Sequence, residues 1–125
     1  MKLLIGIPSY NKPEELKEAI LCLKKQTFTE FKVIISDDSD EASSQKIQTF
    51  IIELNDDRFS YLKNEKRRGL FGNMKYLWSL AYENSYDCFM WLCDDDVILD
   101  NEFIFNGIEF LSRNNNCAVV GYPCD

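Results

Sequence analysis

Three consecutive carboxylates, Asp94, Asp95 and Asp96, stand directly after the apolar run "CFMWLC". Adjacent like charges repel each other, and burial beside an apolar strand makes their ionisation costlier. Residues 76–112 contain no lysine or arginine that could neutralise them. A divalent cation would supply that charge, because Mg²⁺ and Mn²⁺ commonly bind one or two carboxylates together with phosphate oxygens. The run therefore predicts a Mn²⁺ or Mg²⁺ site at a strand end, with solvated loop acids as the alternative.

A second acidic segment, "SDDSDE" at 36–41, follows the apolar residues "FKVII". Asp and Ser side chains form turns and N-caps, so this segment could serve only to begin the next helix. It could equally hold a ligand. The residues alone leave both interpretations open.

Several chemistries lack the residues that they need. The chain has no histidine, the commonest general base, and its five cysteines form no CxxC pair, so a zinc site is not expected. Neither a GxxxxGK[ST] loop nor a GxGxxG sequence is present. Any catalysis must therefore use carboxylates or a metal. Four of the five cysteines lie in or beside apolar segments, which predicts reduced and mostly buried thiols.

Length and charge narrow the class of protein further. A chain of 125 residues suits a single domain spanning 1–125, and a net charge of -7 argues against a nucleic-acid partner. The N-terminal apolar stretch is too short for a signal-peptide core, and no window approaches the roughly 18 apolar residues of a membrane span. The sequence predicts a cytoplasmic protein without a transmembrane segment.

Short apolar runs alternate with segments of helical periodicity along the whole chain. The predicted strands are 3–7, 31–36, 58–63, 87–92 and 117–123, and the predicted helices are 11–26, 41–54, 69–85 and 101–116. In the third helix, Met74, Trp78 and Ala81 or Tyr82 are expected to face the core. This order predicts an α/β fold, with a mostly parallel central sheet flanked by helices as a three-layer sandwich.

Polar residues follow the first four predicted strands, at 8–11 ("PSYN"), 36–40, 64–68 and 94–96. Ligands of open α/β sheets bind outside the carboxyl ends of the strands, so these segments are expected to share one rim. A carboxylate-held metal facing Ser, Tyr and Arg donors suggests a diphosphate ligand, whose charge the cation would neutralise.

The stretch "IGIPSYNKPEELKEAILCLKKQTFTEFKVIISDDSD" resembles the opening of family 2 nucleotide-sugar glycosyltransferases, which have the Rossmann-like GT-A fold. The shared features are the P-x-Y-N turn at 8–11, Gln26-Thr27 at a helix end, and the acidic strand end at 37–39. "GLFGNMKYLWSLAYENSYDCFMWLCDDDVIL" resembles the family's glycine-to-asparagine helix start and its D-x-D segment. Together these stretches cover nearly the whole chain in the family's order.

The resemblance implies a role for each matching residue. The residues that would bind the nucleotide sugar are Pro8, Ser9, Tyr10, Asp37, Asp38, Arg67, Arg68, Asn73 and Asp94. Tyr10 would offer a stacking face, and Asp38 would hydrogen-bond the base with Asp37 as its neighbour. Arg67 or Arg68 would contact the nucleotide or a phosphate, and Asn73 would shape the pocket.

The register of the metal-binding motif has two solutions. Asp94 and Asp96 satisfy D-x-D literally. The longer L-D-x-D-D pattern of the family instead aligns with residues 92–96, where Cys93 replaces the first aspartate of the pattern. In this register Asp95 is the preferred metal ligand, with Asp94 as its neighbour. Both registers remain open, and the resemblance implies a metal in either.

The function implied by the resemblance is transfer of a sugar from a nucleotide-diphosphate sugar, with a UDP-sugar as the expected donor. The acceptor would be a hydroxyl of a glycan or a lipid-linked molecule, and transfer would be metal-dependent and inverting. The reaction would belong to polysaccharide biosynthesis, and the protein would be cytoplasmic or peripheral at the inner membrane face. Family members also carry an acceptor-binding half with the catalytic base, so this chain is expected to be the N-terminal part without that base. A homo-oligomer could cover the sheet edge left exposed.

Two other functions remain for comparison. A non-catalytic module or inactive fragment that binds a nucleotide diphosphate would need the same rim but no base. A receiver-like phosphoacceptor domain would need paired acids after the first strand, where this chain has "PSYN".

Overall fold

Four strands alternate with four helices over residues 1–121, the part of the chain that the computed structural model describes. The elements in chain order are β1 (Leu3–Ser9), α1 (Pro13–Lys24), β2 (Phe31–Asp37), α2 (Glu41–Leu54), β3 (Phe59–Lys63), α3 (Gly69–Glu83), β4 (Cys88–Trp91) and α4 (Phe103–Arg113). Each corresponds to a predicted element, with bounds that differ by only a few residues.

The four strands form one sheet in the order β3-β2-β1-β4, and every neighbouring pair is parallel. In the register of β1 with β2, Leu3 lies opposite Phe31 and Ser9 opposite Asp37. Because all strands run the same way, their carboxyl ends meet at one edge. The predicted parallel α/β sheet is therefore confirmed.

Helices cover both faces of this sheet. Alternate residues of β1 point to opposite faces, so Ile5 and Ile7 join the main core with Ile20 of α1, whereas Gly6 faces α3. A Cβ atom on Gly6 would lie only 3.0 Å from the Cβ of Leu77 in α3. Glycine is thus what lets α3 approach the sheet, and the predicted three-layer sandwich is confirmed.

The buried side of α3 differs from the predicted one. Asn73, Leu77 and Ala81 are its buried residues, whereas Trp78 is 51% exposed and Tyr82 is 79% exposed. Trp78 and Tyr82 stack on each other, with ring centroids 6.2 Å apart. The prediction is confirmed for Ala81 but was wrong for Trp78, because polar Asn73 belongs to the buried stripe, where its Nδ2 donates to the Ser36 carbonyl oxygen at 2.7 Å.

The helix starts follow local rules. Pro13 lies in the first turn of α1, and Glu14 and Glu15 complement the positive end of that helix. The Asp40 carboxylate accepts a hydrogen bond from the Ser43 N–H and caps α2 at 2.9 Å. Over residues 1–121, no helix is long and apolar enough to cross a membrane.

The predicted fifth strand does not form in residues 117–121. The Cys117 N–H donates to the Asn114 carbonyl oxygen at 2.9 Å, so the backbone here closes a local turn. Val119, in the middle of the apolar run, is 84% exposed. A short apolar run gives no strand unless a neighbouring strand pairs with it; positions 122–123 of the prediction lie outside the described residues.

The cysteines are more exposed than predicted. Of the four cysteines that the structure describes, only Cys22 is buried, Cys88 and Cys93 are partly buried, and Cys117 is exposed. Cys124 lies outside the described residues. Cys93 is the cysteine nearest the predicted chemistry, because it precedes the acidic run.

Candidate functional site

A cleft of about 320 Å³ opens at the carboxyl edge of the sheet. Residues at or after the ends of all four strands, together with the start of α3, form its walls. The residues that line it are Pro8, Ser9, Tyr10, Lys12, Asp38, Arg67, Gly69, Leu70, Asn73, Cys93, Asp94 and Asp95. The structure therefore brings most of the predicted site residues together, except Asp37, Arg68 and Asp96.

The segment after β1 is tied to both acidic clusters. The Tyr10 N–H donates to Asp94 Oδ2 at 2.9 Å, and the Ser9 carbonyl oxygen accepts from the Asp38 N–H at 2.9 Å. Asn11, which has a positive φ of 50°, links this segment to the loop after β2, since its N–H donates to Ser39 Oγ at 2.8 Å. These bonds fix the first wall of the cleft.

Asp37 is fully buried and lies behind the cleft. Its carboxylate accepts hydrogen bonds from the Tyr61 hydroxyl at 2.5 Å, Ser44 Oγ at 2.8 Å and the Ser39 N–H at 3.0 Å. Burial, followed by the bond to Asp37, raises the pKa of Tyr61 to about 12. The position of Asp37 indicates that it orders the loop carrying its neighbour Asp38.

Asp38 lines the cleft and anchors the start of α3. Its Oδ2 accepts from the Gly69 N–H at 2.9 Å, and its Oδ1 accepts from the Arg68 N–H at 3.0 Å and from Asn64 Nδ2 at 2.9 Å. The residue at the N-cap of α3, Arg68, provides no side-chain cap of its own. A distant carboxylate thus satisfies the free N–H groups of this helix end.

The two predicted arginines occupy different places. The Arg67 guanidinium lies 3.9 Å from the ring centroid of Tyr10, within the cleft wall. The Arg68 guanidinium lies 3.7 Å from the ring centroid of Tyr76, and its Nε donates to Asn64 Oδ1 at 3.1 Å. Of the two, the geometry favours Arg67 as the residue that contacts a ligand.

Two polar atoms in the cleft wall have no partner. Within residues 1–121, Ser9 Oγ and Asn73 Oδ1 are buried and make no hydrogen bond. Buried polar atoms are normally hydrogen-bonded, and leaving one unpaired costs about 1–3 kcal/mol. Because both residues border the same cleft, a ligand with hydroxyl or amide groups could satisfy them.

The three consecutive carboxylates differ in environment. Asp94 is 8% exposed, and burial raises its pKa despite the opposing effect of the Tyr10 N–H. Asp95 Oδ2 lies 2.5 Å from Lys12 Nζ, and the hydrogen bond from Lys12 lowers its pKa. Asp96 is exposed and does not line the cleft. The geometry favours the register in which Asp94 and Asp95 act together.

The residues fit a metal shared with a phosphate ligand. Among the described side chains, no group of three or more His, Cys, Asp or Glu residues converges on a point. Asp94 and Asp95 nevertheless border one cleft. Mg²⁺ and related cations are typically held by one or two carboxylates plus substrate phosphates rather than by a complete protein cage. The pair is therefore suited to a cation that arrives with a diphosphate.

The sequence interpretation missed Lys12. Counter-charge for the acidic run was sought between Lys75 and Arg113, but the charge comes from a residue 83 positions away from Asp95. The available signal was its place directly after the "PSYN" turn, on the same predicted rim as the carboxylates.

Residues 4–124 match the profile of Glycosyl transferase family 2. The chain belongs to this family. The resemblance and the GT-A-like fold inferred from the sequence are thereby confirmed. A curated relative is the Escherichia coli UDP-Glc:alpha-D-GlcNAc-diphosphoundecaprenol beta-1,3-glucosyltransferase WfgD, with 28% identity over 127 aligned positions that cover 94% of this chain. The chain spans 48% of the length of that relative.

Solved structures share the fold at lower identity. S. aureus TarS superposes with a TM-score of 0.70 and 22% identity, over 98% of this chain and 23% of that protein. The mannosyltransferase PcManGT from Pyrobaculum calidifontis, in complex with GDP-Man and Mn²⁺, gives a TM-score of 0.74 and 14% identity, over 88% of this chain and 32% of that one. TarS 1–349 in complex with UDP-GlcNAc gives a TM-score of 0.69 and 22% identity, over 99% of this chain and 37% of that one.

Proposed function

We propose that this family 2 chain binds a nucleotide-diphosphate sugar in the cleft, as the donor-binding part of a glycosyltransferase. The observation that carries the proposal is the convergence of two unpaired polar atoms, Ser9 Oγ and Asn73 Oδ1, with the carboxylates Asp94 and Asp95 in one cleft. The two unpaired polar atoms suit a nucleoside, and the two carboxylates suit a metal-bound diphosphate.

The nucleoside would occupy the end of the cleft formed by the β1 turn and the start of α3. Pro8, Ser9 and Tyr10 would flank the base and ribose, and Asp38 would accept a hydrogen bond from the base. Arg67, which already lies on the Tyr10 ring, would close this end over the nucleotide. UDP is the proposed nucleotide, supported by the UDP-sugars named for WfgD and TarS.

The diphosphate would lie against Asp94 and Asp95. A divalent cation bound there, Mn²⁺ or Mg²⁺, would supply positive charge to the leaving diphosphate. The Tyr10 N–H holds Asp94 Oδ2 in place at 2.9 Å. Burial of Asp94 at the base of the cleft would shield this contact from water and strengthen it.

Transfer would follow a single displacement with inversion. An acceptor hydroxyl would attack the anomeric carbon, the bond from that carbon to the diphosphate oxygen would break, and the hydroxyl proton would pass to a general base. We assign no base among residues 1–121. The proposed acceptor is a glycan or lipid-linked hydroxyl, which would place the protein at the inner face of the membrane; a homo-oligomer remains part of the proposal.

Titration of the 125-residue chain with UDP, with and without Mn²⁺, tests the site by calorimetry. Binding should depend on the metal, and Asp95→Ala should abolish the metal-dependent part. Asp96→Ala is the matched control, because it removes an adjacent carboxylate that does not line the cleft. Equal UDP affinity with and without Mn²⁺ would contradict a metal at this site. An equal loss of metal-dependent UDP binding in Asp95→Ala and Asp96→Ala would contradict the assignment of Asp95 as the metal ligand.

A binding module without transferase activity is the second candidate. It would need the same cleft but no general base, and we assign no base among residues 1–121. A UDP-release assay with UDP-GlcNAc and Mn²⁺ separates the two functions. Sugar transfer or hydrolysis by the chain alone would exclude the module, whereas metal-dependent binding without turnover would support it.

A further inference from the structure

Lys12 and Asp95 form an ion pair across the mouth of the cleft. Lys12 Nζ lies 2.5 Å from Asp95 Oδ2, and the two side chains are 46% and 45% exposed. Lys12 occupies the N-cap position of α1 but makes no side-chain capping bond there. An ammonium group cannot accept hydrogen bonds from the N–H groups of a helix start, so the side-chain partner of Lys12 is Asp95 rather than α1.

The position of Lys12 sets it apart from the other cleft cation. Of the described residues that line the cleft, Lys12 and Arg67 are the two that carry positive charge. Arg67 lies on Tyr10, at the end assigned to the nucleoside. Lys12 lies at the acidic end, beside Asp95 and within the field of Asp94. A diphosphate placed against these two carboxylates would come within reach of the Lys12 ammonium.

We propose that Lys12 is a donor-binding residue that exchanges partners, held by Asp95 in the free protein and transferred to the diphosphate when the nucleotide binds. This inference rests on the proposed function. The exchange would release Asp95 Oδ2, which the cation could then bind. Lys12 thereby competes with the metal in the absence of nucleotide and assists the diphosphate in its presence.

The strength of the ion pair allows such an exchange. An exposed pair of this kind changes an equilibrium by about fivefold at most, so a phosphate group can displace it. Lys12 opposes metal binding when the nucleotide is absent and favours nucleotide binding when its ammonium reaches the diphosphate. Because the coupling between two ligands is reciprocal, this exchange makes the binding of metal and nucleotide more cooperative. The structure thus predicts that Mn²⁺ and UDP each bind weakly alone and more tightly together.

Electron paramagnetic resonance of free Mn²⁺ measures this competition on the whole chain, with and without saturating UDP. Lys12→Met should raise the affinity for Mn²⁺ alone by about two- to fivefold and should reduce the factor by which UDP tightens Mn²⁺ binding. Lys12→Arg should restore part of that factor. Lys17→Met is the matched control, because it removes one charge from the same helix at a residue paired with Glu14; it should leave both quantities unchanged.

A second variant identifies the partner. In an Asp96→Asn background, which keeps the Lys12–Asp95 pair and both proposed metal ligands, Lys12→Met should still raise the affinity for Mn²⁺; loss of that gain would assign the competing carboxylate to Asp96 instead. Unchanged Mn²⁺ affinity in Lys12→Met, or an equal gain in Lys17→Met, would overturn the inference. Absence of UDP binding to the wild-type chain with Mn²⁺ present would instead overturn the proposed function, while the titration with Mn²⁺ alone would still decide whether Lys12 competes for Asp95.

Discussion

Asp38 holds the first turn of α3 through a hydrogen bond of 2.9 Å from the Gly69 N–H to its Oδ2. The two residues are separated by 31 positions, and both line the cleft. The carboxylate that is proposed to bind the base therefore also fixes the helix that carries Asn73. If the proposed contact with the base is made, ligand binding and the position of α3 are linked through one side chain.

Removal of this carboxylate should cost both stability and affinity. Asp38→Ala leaves the N–H groups of Arg68 and Gly69 without their partner, and loss of a helix cap typically costs about 0.5–2 kcal/mol in the free energy of unfolding. Asp40→Ala, which removes the cap of α2, should cost a similar amount but leave the UDP affinity unchanged. Urea denaturation and calorimetry test both variants. Wild-type UDP affinity in Asp38→Ala would contradict the role of Asp38 in the site.

Gly69 and Gly72 should respond in opposite directions to alanine. Gly69 has a φ of +74°, where a Cβ is strained although no atom lies within 4 Å of it, so Gly69→Ala should lower the free energy of unfolding by about 1–2 kcal/mol. Gly72 lies inside α3, where a Cβ would be 3.5 Å from Arg68 Cβ, an ordinary contact. Gly72→Ala should raise the free energy of unfolding by about 0.5–1 kcal/mol. Urea denaturation that ranks the two the other way would show that α3 begins differently.

The arginines should separate in a binding measurement. Arg67→Lys keeps the charge but loses the planar group on Tyr10, and a cation–π contact of this kind corresponds to about two- to fivefold in affinity. Arg68→Lys alters the equivalent contact on Tyr76, away from the cleft. UDP titrations with Mn²⁺ should show a loss only for Arg67→Lys. A loss confined to Arg68→Lys would assign the nucleotide contact to the other arginine.

Tyr61 should impose an alkaline limit on stability. Its pKa is raised from 10.0 to about 12 in the folded protein, so the folded state retains a proton that the unfolded chain releases near pH 10. The resulting stabilisation is complete below pH 10 and disappears as the pH approaches 12. Urea denaturation across this range should show a steeper decline for the wild type than for Tyr61→Phe. Parallel pH profiles would mean that the hydroxyl does not titrate differently in the two states.

The elements and the general position of the site could be predicted because their causes are local. Apolar runs and helical spacing determine the strands and helices, and polar residues at the ends of parallel strands must share an edge. The unbalanced charge of Asp94 and Asp95 likewise appears within a few residues of sequence. These features do not depend on which distant segments happen to meet.

The features that the sequence did not reveal depend on contacts between distant segments. Lys12 meets Asp95 only because β1 and β4 are neighbours in the sheet. The buried face of α3 includes Asn73, whose polarity is compensated by the backbone of β2. The run at 117–121 is apolar enough for a strand but pairs with none among the described residues. In each case the deciding partner lies outside the local window.

The strand order β3-β2-β1-β4 has a consequence for how the cleft could diversify. The chain moves from β1 toward β2 and β3 on one side and returns to place β4 on the other, so the segments after β1 and β4 leave the sheet in divergent directions. The Tyr10–Asp94 hydrogen bond spans this topological switch point. The opening is thus produced by connectivity, so loop residues around it can be substituted without disturbing the strands beneath.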